Sequence, residues 1–567
     1  MKHNNLALNA ALLSLVAIAS GAFPSALRAQ NIQVTSATPP AAPQGTINLN
    51  VAIGGNGFAK GARAIFYLSG TNSTDGITVN STAFNSKSQI TANINISDTA
   101  TISSFDVVVQ NTDGRSGKGT KLFSVTAKGT PIGCTTLGTP SGFTLVTTLN
   151  YVNSSGAPQY QPHLGTALIV RPATITNGLQ SRTVQVAAVG SGNSNGRLEF
   201  FFLDPATGEV LDGTVIVGTQ VQPHITVQYD PTETIGARET WGGDVNADGI
   251  PDFVLSSAPN DAAFAFVGSM DPNGIVSWRS IALPPPASNP GQFGHGVAMG
   301  KLDASSAGDE VVVAAGGTGG KKGAPGAVYI YRFNGTGFDL IATVADPLQT
   351  IGDGFGSSAA TGDVTGDGVP DLIVGAGPKV YVFPSPLTST ANFTLASSSN
   401  DGIGAKVGAG MLSSATATDV IAISASTNPR VLVFSGPITS NRTASSFDFF
   451  PYSVLTGGWA TGADFGDMTG DGRFDVLVGA PNATNSNSCT DSVGAAQLFL
   501  SNPSNPSQAA LTVFQPPTVD PTFGGFGFGV GLVPSSPGSA SLLLVGENGR
   551  DLGGVTGAGQ VYVYRKN

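Results

Sequence analysis

At 567 residues the chain is too long for one hydrophobic core, so two or more domains are expected. Charged residues make up only 11%, against 76 Gly and 36 Pro, which excludes a long-helix protein and points to many short strands joined by turns. The formal net charge is −10 with no basic stripe, which argues against nucleic-acid binding.

Residues 1–30 have the layout of a secretory signal peptide. Lys2 and His3 give a polar start, Leu6–Ala22 is apolar, and Pro24 and the stretch SALRAQ precede a cleavage expected near Ala29 or Gln30. An uncleaved anchor is the alternative. No Cys follows the apolar core, so a lipoprotein is not expected. No later stretch is long and apolar enough to cross a bilayer, so the mature chain is expected secreted or at the cell surface, with the periplasm as an option. Cys134 and Cys489 are the two cysteines; they either pair or remain free thiols.

Residues 31–128 form the first unit. INLNVAIGG, GARAIFYL, GITVNSTAF, QITANINI, FDVVVQN and KLFSVTA alternate as strands between Gly, Asn and Asp. Such a set predicts a small β-sandwich. GNGFAKGARAIF, SQITANINIS and FDVVVQNTDGRSG resemble the immunoglobulin-like TIG/IPT domains of secreted and receptor proteins, which are spacers or binding modules. Residues 129–142, GTPIGCTTLGTPSG, read as a linker.

Residues 143–567 repeat with a period of roughly 50–70 residues. The copies begin at Leu164-Gly165, Ile235-Gly236, Phe293-Gly294, Phe355-Gly356, Ile403-Gly404, Trp459-Ala460 and Phe526-Gly527. The first is weak and continues, after an insertion, into TVQVAAVGSG and RLEFFFLD. The second, fourth and sixth lead into one nine-residue frame. Its acids stand at positions 1, 5 and 9: Asp244, Asp248 and Asp252; Asp363, Asp367 and Asp371; Asp467, Asp471 and Asp475. Asn246, Thr365 and Thr469 fill position 3, and Ile250, Val369 and Arg473 fill position 7. Each frame follows a Gly and precedes an apolar run, so it joins two strands, unlike an EF-hand loop with its helices and twelfth-position Glu.

Oxygen donors at i, i+2 and i+4 wrap round one point, a position-7 carbonyl faces it, and a ninth-position Asp closes the shell that a hard cation such as Ca²⁺ prefers. Three Ca²⁺ sites are expected. A plain acidic β-turn is the bland reading, but it leaves three like charges at short range unexplained. In the third copy Lys301 stands in the first acid's place and Asp309 matches the last; in the fifth only Asp419 is kept; the seventh has no acids. Lys301 supplies a cation to its own turn or is solvated.

Each copy holds an apolar strand, a second after the loop, and a third such as AVYIYRF, KVYVFP, RVLVFSG, AAQLFLS or QVYVYR. Stacked radially, such sheets bury one another around a channel. The last copy ends at its third strand, and FTLVTTLNY, residues 143–151, is expected to supply the fourth and remove an open edge. The copies resemble FG-GAP repeats, found in integrin alpha subunits and many secreted bacterial proteins; Phe355-Gly356, Asp363–Asp371, LIVGAG and VLVGAP carry the resemblance. It implies a seven-bladed β-propeller over residues 143–567, with Ca²⁺ in hairpin loops on one rim. The fold class is thus all-β, a small sandwich followed by the propeller.

Catalytic signatures are weak. His3, His163, His224 and His295 are scattered, so no zinc cluster is expected. Gly192–Gly196 matches G-x-S-x-G but runs into a strand rather than a helix. Gly316–Gly323 lacks the phosphate-loop spacing and reads as a hairpin tip. No RGD occurs. His295 or Arg238 could line a binding face. The first reading is a non-enzymatic, monomeric binding or adhesion module for a protein partner or glycan. The alternatives are a polysaccharide lyase or hydrolase on the same scaffold, and a purely structural surface protein.

Overall fold

The structure, a computed structural model, describes residues 31–567 apart from 45, 47, 48, 98, 127–138, 151–162, 178, 179, 193–196, 212–223, 229–238, 258–260, 290, 317–323, 388–392, 398–400, 426, 427, 453–455, 484–492, 518–523 and 553–556. The signal segment, most of the linker, Arg238, Cys134, Cys489 and nearly all of the Gly192–Gly196 and Gly316–Gly323 stretches lie outside the described residues. Every named element is a strand, and the chain divides into two compact units, Met1–Thr130 and Pro131–Asn567. Among the described residues no helix is long and apolar enough to cross a membrane.

The first unit holds two four-stranded sheets. One runs Gln33–Thr38, Leu49–Asn56, Gln89–Ile96, Ile77–Ser86; the other Ala41–Pro43, Ser116–Thr126, Ser104–Gln110, Arg63–Leu68. Alternation sets which face is buried: in Gln89–Ile96 every second residue, Ile90, Ala92, Ile94 and Ile96, is buried. Both sheets feed one cluster, in which Phe66 and Phe123 meet edge to face at 5.3 Å. Gln33–Thr38 and Ala41–Pro43 are strands that the alternation pattern does not mark. The first is polar at four of six positions and the second is only three residues long.

The second unit holds seven four-stranded sheets among the described residues, all antiparallel, spanning residues 164–228, 240–283, 293–345, 355–396, 406–449, 463–514 and 526–566, the last completed by Phe143–Leu149. The first strands are Leu164–Thr176, Thr240–Gly243, Phe293–Gly300, Phe355–Gly362, Lys406–Gly410, Ala463–Gly466 and Phe526–Val533. Each touches the next, and the seventh touches the first. This cycle is the mark of an all-β propeller.

The core lies between sheets. Six buried clusters each join two successive sheets, and a seventh joins the last sheet to the first. The second strands are therefore covered on both faces and read as unbroken apolar runs. In Asp371–Ala376 all six residues are buried; Leu372 and Val374 face one neighbouring layer and Ile373 the other. The ring closes where Gln560–Lys566 pairs antiparallel with Phe143–Leu149, Val561 opposite Leu149 and Lys566 opposite Phe143. The supposed insertion in the first copy is the hairpin of a long strand, Leu164–Thr176, pairing Thr176 with Ser181.

The Phe-Gly pairs have a mechanical role. Phe355 is fully buried, and the register shifts between it and Ser358, so the Gly sits in a bulge. Gly356 takes φ 86°, and a Cβ there would meet Ala314 Cβ of the preceding sheet at 3.3 Å. The pair thus lets the start of each such sheet lean on the one before it.

Candidate functional site: the rim hairpins and the axial cavity

Each acidic frame is the hairpin between the first and second strands of its sheet. The last cross-strand pairs are Gly243 with Asp252, Gly362 with Asp371, and Gly466 with Asp475. The first acid folds the hairpin over itself. Asp363 Oδ1 accepts N–H bonds from Gly366 (2.7 Å) and Asp367 (3.0 Å), and its Oδ2 accepts one from Gly368 (2.9 Å). Asp467 repeats this with Gly470, Asp471 and Gly472, and Asp244 with Asp248 and Gly249. The fifth-position acid accepts the N–H of position 7: Ile250 to Asp248, Val369 to Asp367, Arg473 to Asp471. At position 3 the Thr365 hydroxyl donates to Asp371 (3.3 Å), Thr469 to Asp467 (3.3 Å), and the Asn246 amide to Asp248 (3.0 Å).

The ninth-position acid behaves differently. Asp252, Asp371 and Asp475 are at most 1% exposed. One oxygen of each accepts the N–H of Val245, Val364 or Met468. The other reaches the end of the third strand, accepting the N–H of Gly268 (2.6 Å), Ser385 (3.3 Å) or Ser501 (2.7 Å). This carboxylate fastens the hairpin to the sheet. Burial pushes Asp252 up to about 7, with Asp244 and Asp248 adding to the rise. Burial likewise pushes Asp475 up to about 6 and shifts Asp371 upward.

The same fastening recurs without the other acids. Asp419, fully buried, accepts from Leu412, Ser413 and Gly436. In the third sheet the equivalent residue is Glu310, not Asp309. Glu310 pairs with Gly300 and accepts from the Asp303 N–H (3.2 Å) and Arg332 Nε (3.0 Å). That hairpin is one residue longer, which shifted the frame. Asp309 instead accepts the N–H of Asp244 (2.9 Å) in the neighbouring hairpin. The cation serving this turn is Arg332, bonded also to Asp303 (2.6 Å), while Lys301 is exposed. Arg473 ties its hairpin to the fifth sheet through the carbonyls of Leu412 and Ser413.

The donor set of the three frames is carboxylate, hydroxyl or amide, and carbonyl oxygen, which suits a hard cation. Its geometry is less committed. Among the described residues no three His, Cys, Asp or Glu side chains converge as a metal-holding group, and the ninth-position acids already face N–H donors.

A second feature lies on the ring axis. A cavity of about 60 Å³ is lined by residues at the first strands of all seven sheets. Glu239 and Lys406, 167 residues apart in sequence, form an ion pair at its wall. Trp241, Phe465 and Phe528 line it as partly exposed rings. Trp241 also packs against three successive inter-sheet clusters. Nearby on the first strands, Arg171 Nε donates to the Gly242 carbonyl at 3.2 Å. Burial raises Asp464, and the Arg171 guanidinium opposes that rise. His295 is not among the lining residues. Sequence reasoning missed this site because its members share no motif; only ring closure brings them together.

No curated protein matches the chain. The family model of the FG-GAP repeat matches residues 355–383, the fourth Phe-Gly and its acidic hairpin. The match and the ring of four-stranded sheets together support an FG-GAP-type β-propeller.

Proposed function

We propose that the chain is an exported, calcium-binding, seven-bladed FG-GAP propeller, joined to an immunoglobulin-like TIG/IPT-type sandwich, that acts as a non-enzymatic binding or adhesion module for a protein partner or glycan. The observation that carries this reading is the alternation around the ring. The second, fourth and sixth sheets present acidic hairpins of one design, while the fifth keeps only its fastening acid and the third has a longer hairpin fastened by Glu310. FG-GAP repeats occur in extracellular and surface proteins, in keeping with export.

Each hairpin would take one Ca²⁺. The residues that would hold it are Asp244, Asn246, Asp248, Ile250 and Asp252; Asp363, Thr365, Asp367, Val369 and Asp371; and Asp467, Thr469, Asp471, Arg473 and Asp475, with position 7 giving its carbonyl. Bound calcium supplies neutralisation of the clustered carboxylates. The ninth-position acid would then either exchange N–H partners for the ion or leave the shell to positions 1, 3, 5 and 7 and water.

Calorimetry and thermal melts of the chelated protein, titrated with Ca²⁺, test this. Binding to the native state alone raises stability by about 2.7 kcal/mol at a hundredfold excess over Kd. Asp363→Ala or Asp367→Ala should reduce the count from three sites to two. No calorimetric heat and no melting shift would sink the calcium reading. A glycan and protein array probed with and without Ca²⁺ tests the binding role.

A further inference from the structure

We propose that the axial cavity binds a neutral sugar residue; this rests on the binding-module reading and names where and what it binds. Three independent features meet there. The first is aromatic. Trp241, Phe465 and Phe528 offer partly exposed faces of the kind that pack against the C–H side of a pyranose. The Phe465 ring lies close against Gly408 of the neighbouring first strand, where an added Cβ would come within 2.5 Å of it.

The second feature is the Glu239–Lys406 ion pair, with side chains 13% and 16% exposed. A carboxylate and an ammonium side by side give an acceptor and a donor within reach of two vicinal hydroxyls. A neutral ligand uses both without disturbing their charge balance. An anionic ligand would set its charge beside Glu239, and a cationic one beside Lys406, in a poorly solvated place.

The third feature is Thr240, also a lining residue, whose buried hydroxyl oxygen has no hydrogen-bond partner among the described residues. A buried hydroxyl is normally paired. A turn of the side chain would bring this oxygen to the cavity, where a ligand hydroxyl is a partner of matching chemistry.

The test uses the full chain and its own fluorescence. Trp278 and Trp459 are only 6% and 5% exposed, whereas Trp241 is partly exposed at the cavity, so acrylamide quenching reports chiefly on Trp241. The probes are the methyl glycosides of glucose, galactose and mannose, with their uronic acids as charged counterparts. At least one neutral glycoside should protect Trp241, and its uronic acid should bind about tenfold more weakly or worse. Thr240→Val should weaken that binding about tenfold while melting is unchanged or raised, since it removes an unpaired polar atom. Thr240→Ser should restore binding.

Three results would overturn the proposal: no neutral glycoside protects Trp241, the uronic acid binds better, or Thr240→Val binds as wild type does. A partner recovered from the array that is indifferent to Thr240→Val also sinks the cavity as its site while the binding-module reading stands. An array with no partner at all sinks both.

Discussion

Replacing Asp419 by Ala separates the fastening role of the closing acid from any role in holding metal. Asp419 sits in the fifth sheet, whose hairpin has no acids at positions 1 and 5. It is fully buried and accepts the N–H groups of Leu412, Ser413 and Gly436 and the hydroxyl of Ser413. Removing it strips four donors at once. Each buried donor left without an acceptor costs about 1–3 kcal/mol; the hydroxyl can rotate and water can reach part of the hairpin, so the expected loss is about 3–5 kcal/mol. Urea unfolding in chelator measures it, with Trp459 as reporter because that ring shares a buried cluster with Leu412. Asp367→Ala is the control. Asp367 is exposed and accepts the Val369 N–H, so in chelator it should change stability by no more than about 0.5 kcal/mol. A loss below about 1 kcal/mol for Asp419→Ala would refute the reasoning, as would a loss seen only when calcium is present.

Further outcomes follow from other buried groups. Glu199 is 2% exposed, accepts from the Thr226 hydroxyl, and burial pushes its pKa up to about 7 from 4.5. Between those values the native state keeps a proton the unfolded chain has released, so stability falls as pH rises through that window and levels off above it. The fall is about 3 kcal/mol at most, and Glu199→Gln should flatten it in melts taken across that range. Arg430, 3% exposed, forms an ion pair with Asp401 at 2.8 Å and lies 3.4 Å from Asp448. Arg430→Met leaves two buried carboxylates facing each other and should cost about 3–5 kcal/mol by urea unfolding; an unchanged midpoint counts against the pairing. Phe143 meets Phe514 edge to face at 4.9 Å, joining the closing strand to the sixth sheet. Phe143→Ala should cost about 3–5 kcal/mol and speed proteolysis of the second unit, and indifference would mean the closure contributes little.

Much of the architecture is spelled locally. The acids at every fourth position, the Gly before them and the apolar run after them lie within about sixteen residues, so a hairpin with buried following strand is legible without any partner sheet. The closing strand was legible too, because FTLVTTL has strand character and the last copy lacked one element. Other assignments needed the fold. Asp309 and Glu310 are adjacent acids, and sequence alone gives no reason to prefer the second. Cross-strand register does, by setting Glu310 opposite Gly300.

The sequence by itself determined the strand-rich class, the repeating unit and the three acidic hairpins, because these arise from contacts close along the chain. Tertiary structure decided what the acids touch and where a ligand can enter. The partners of the closing carboxylates, Gly268, Ser385 and Ser501, lie 14 to 26 residues onward, and Glu239 and Lys406 meet across 167 residues. Those encounters depend on how the sheets stack and how the ring shuts, and local pattern holds no record of either.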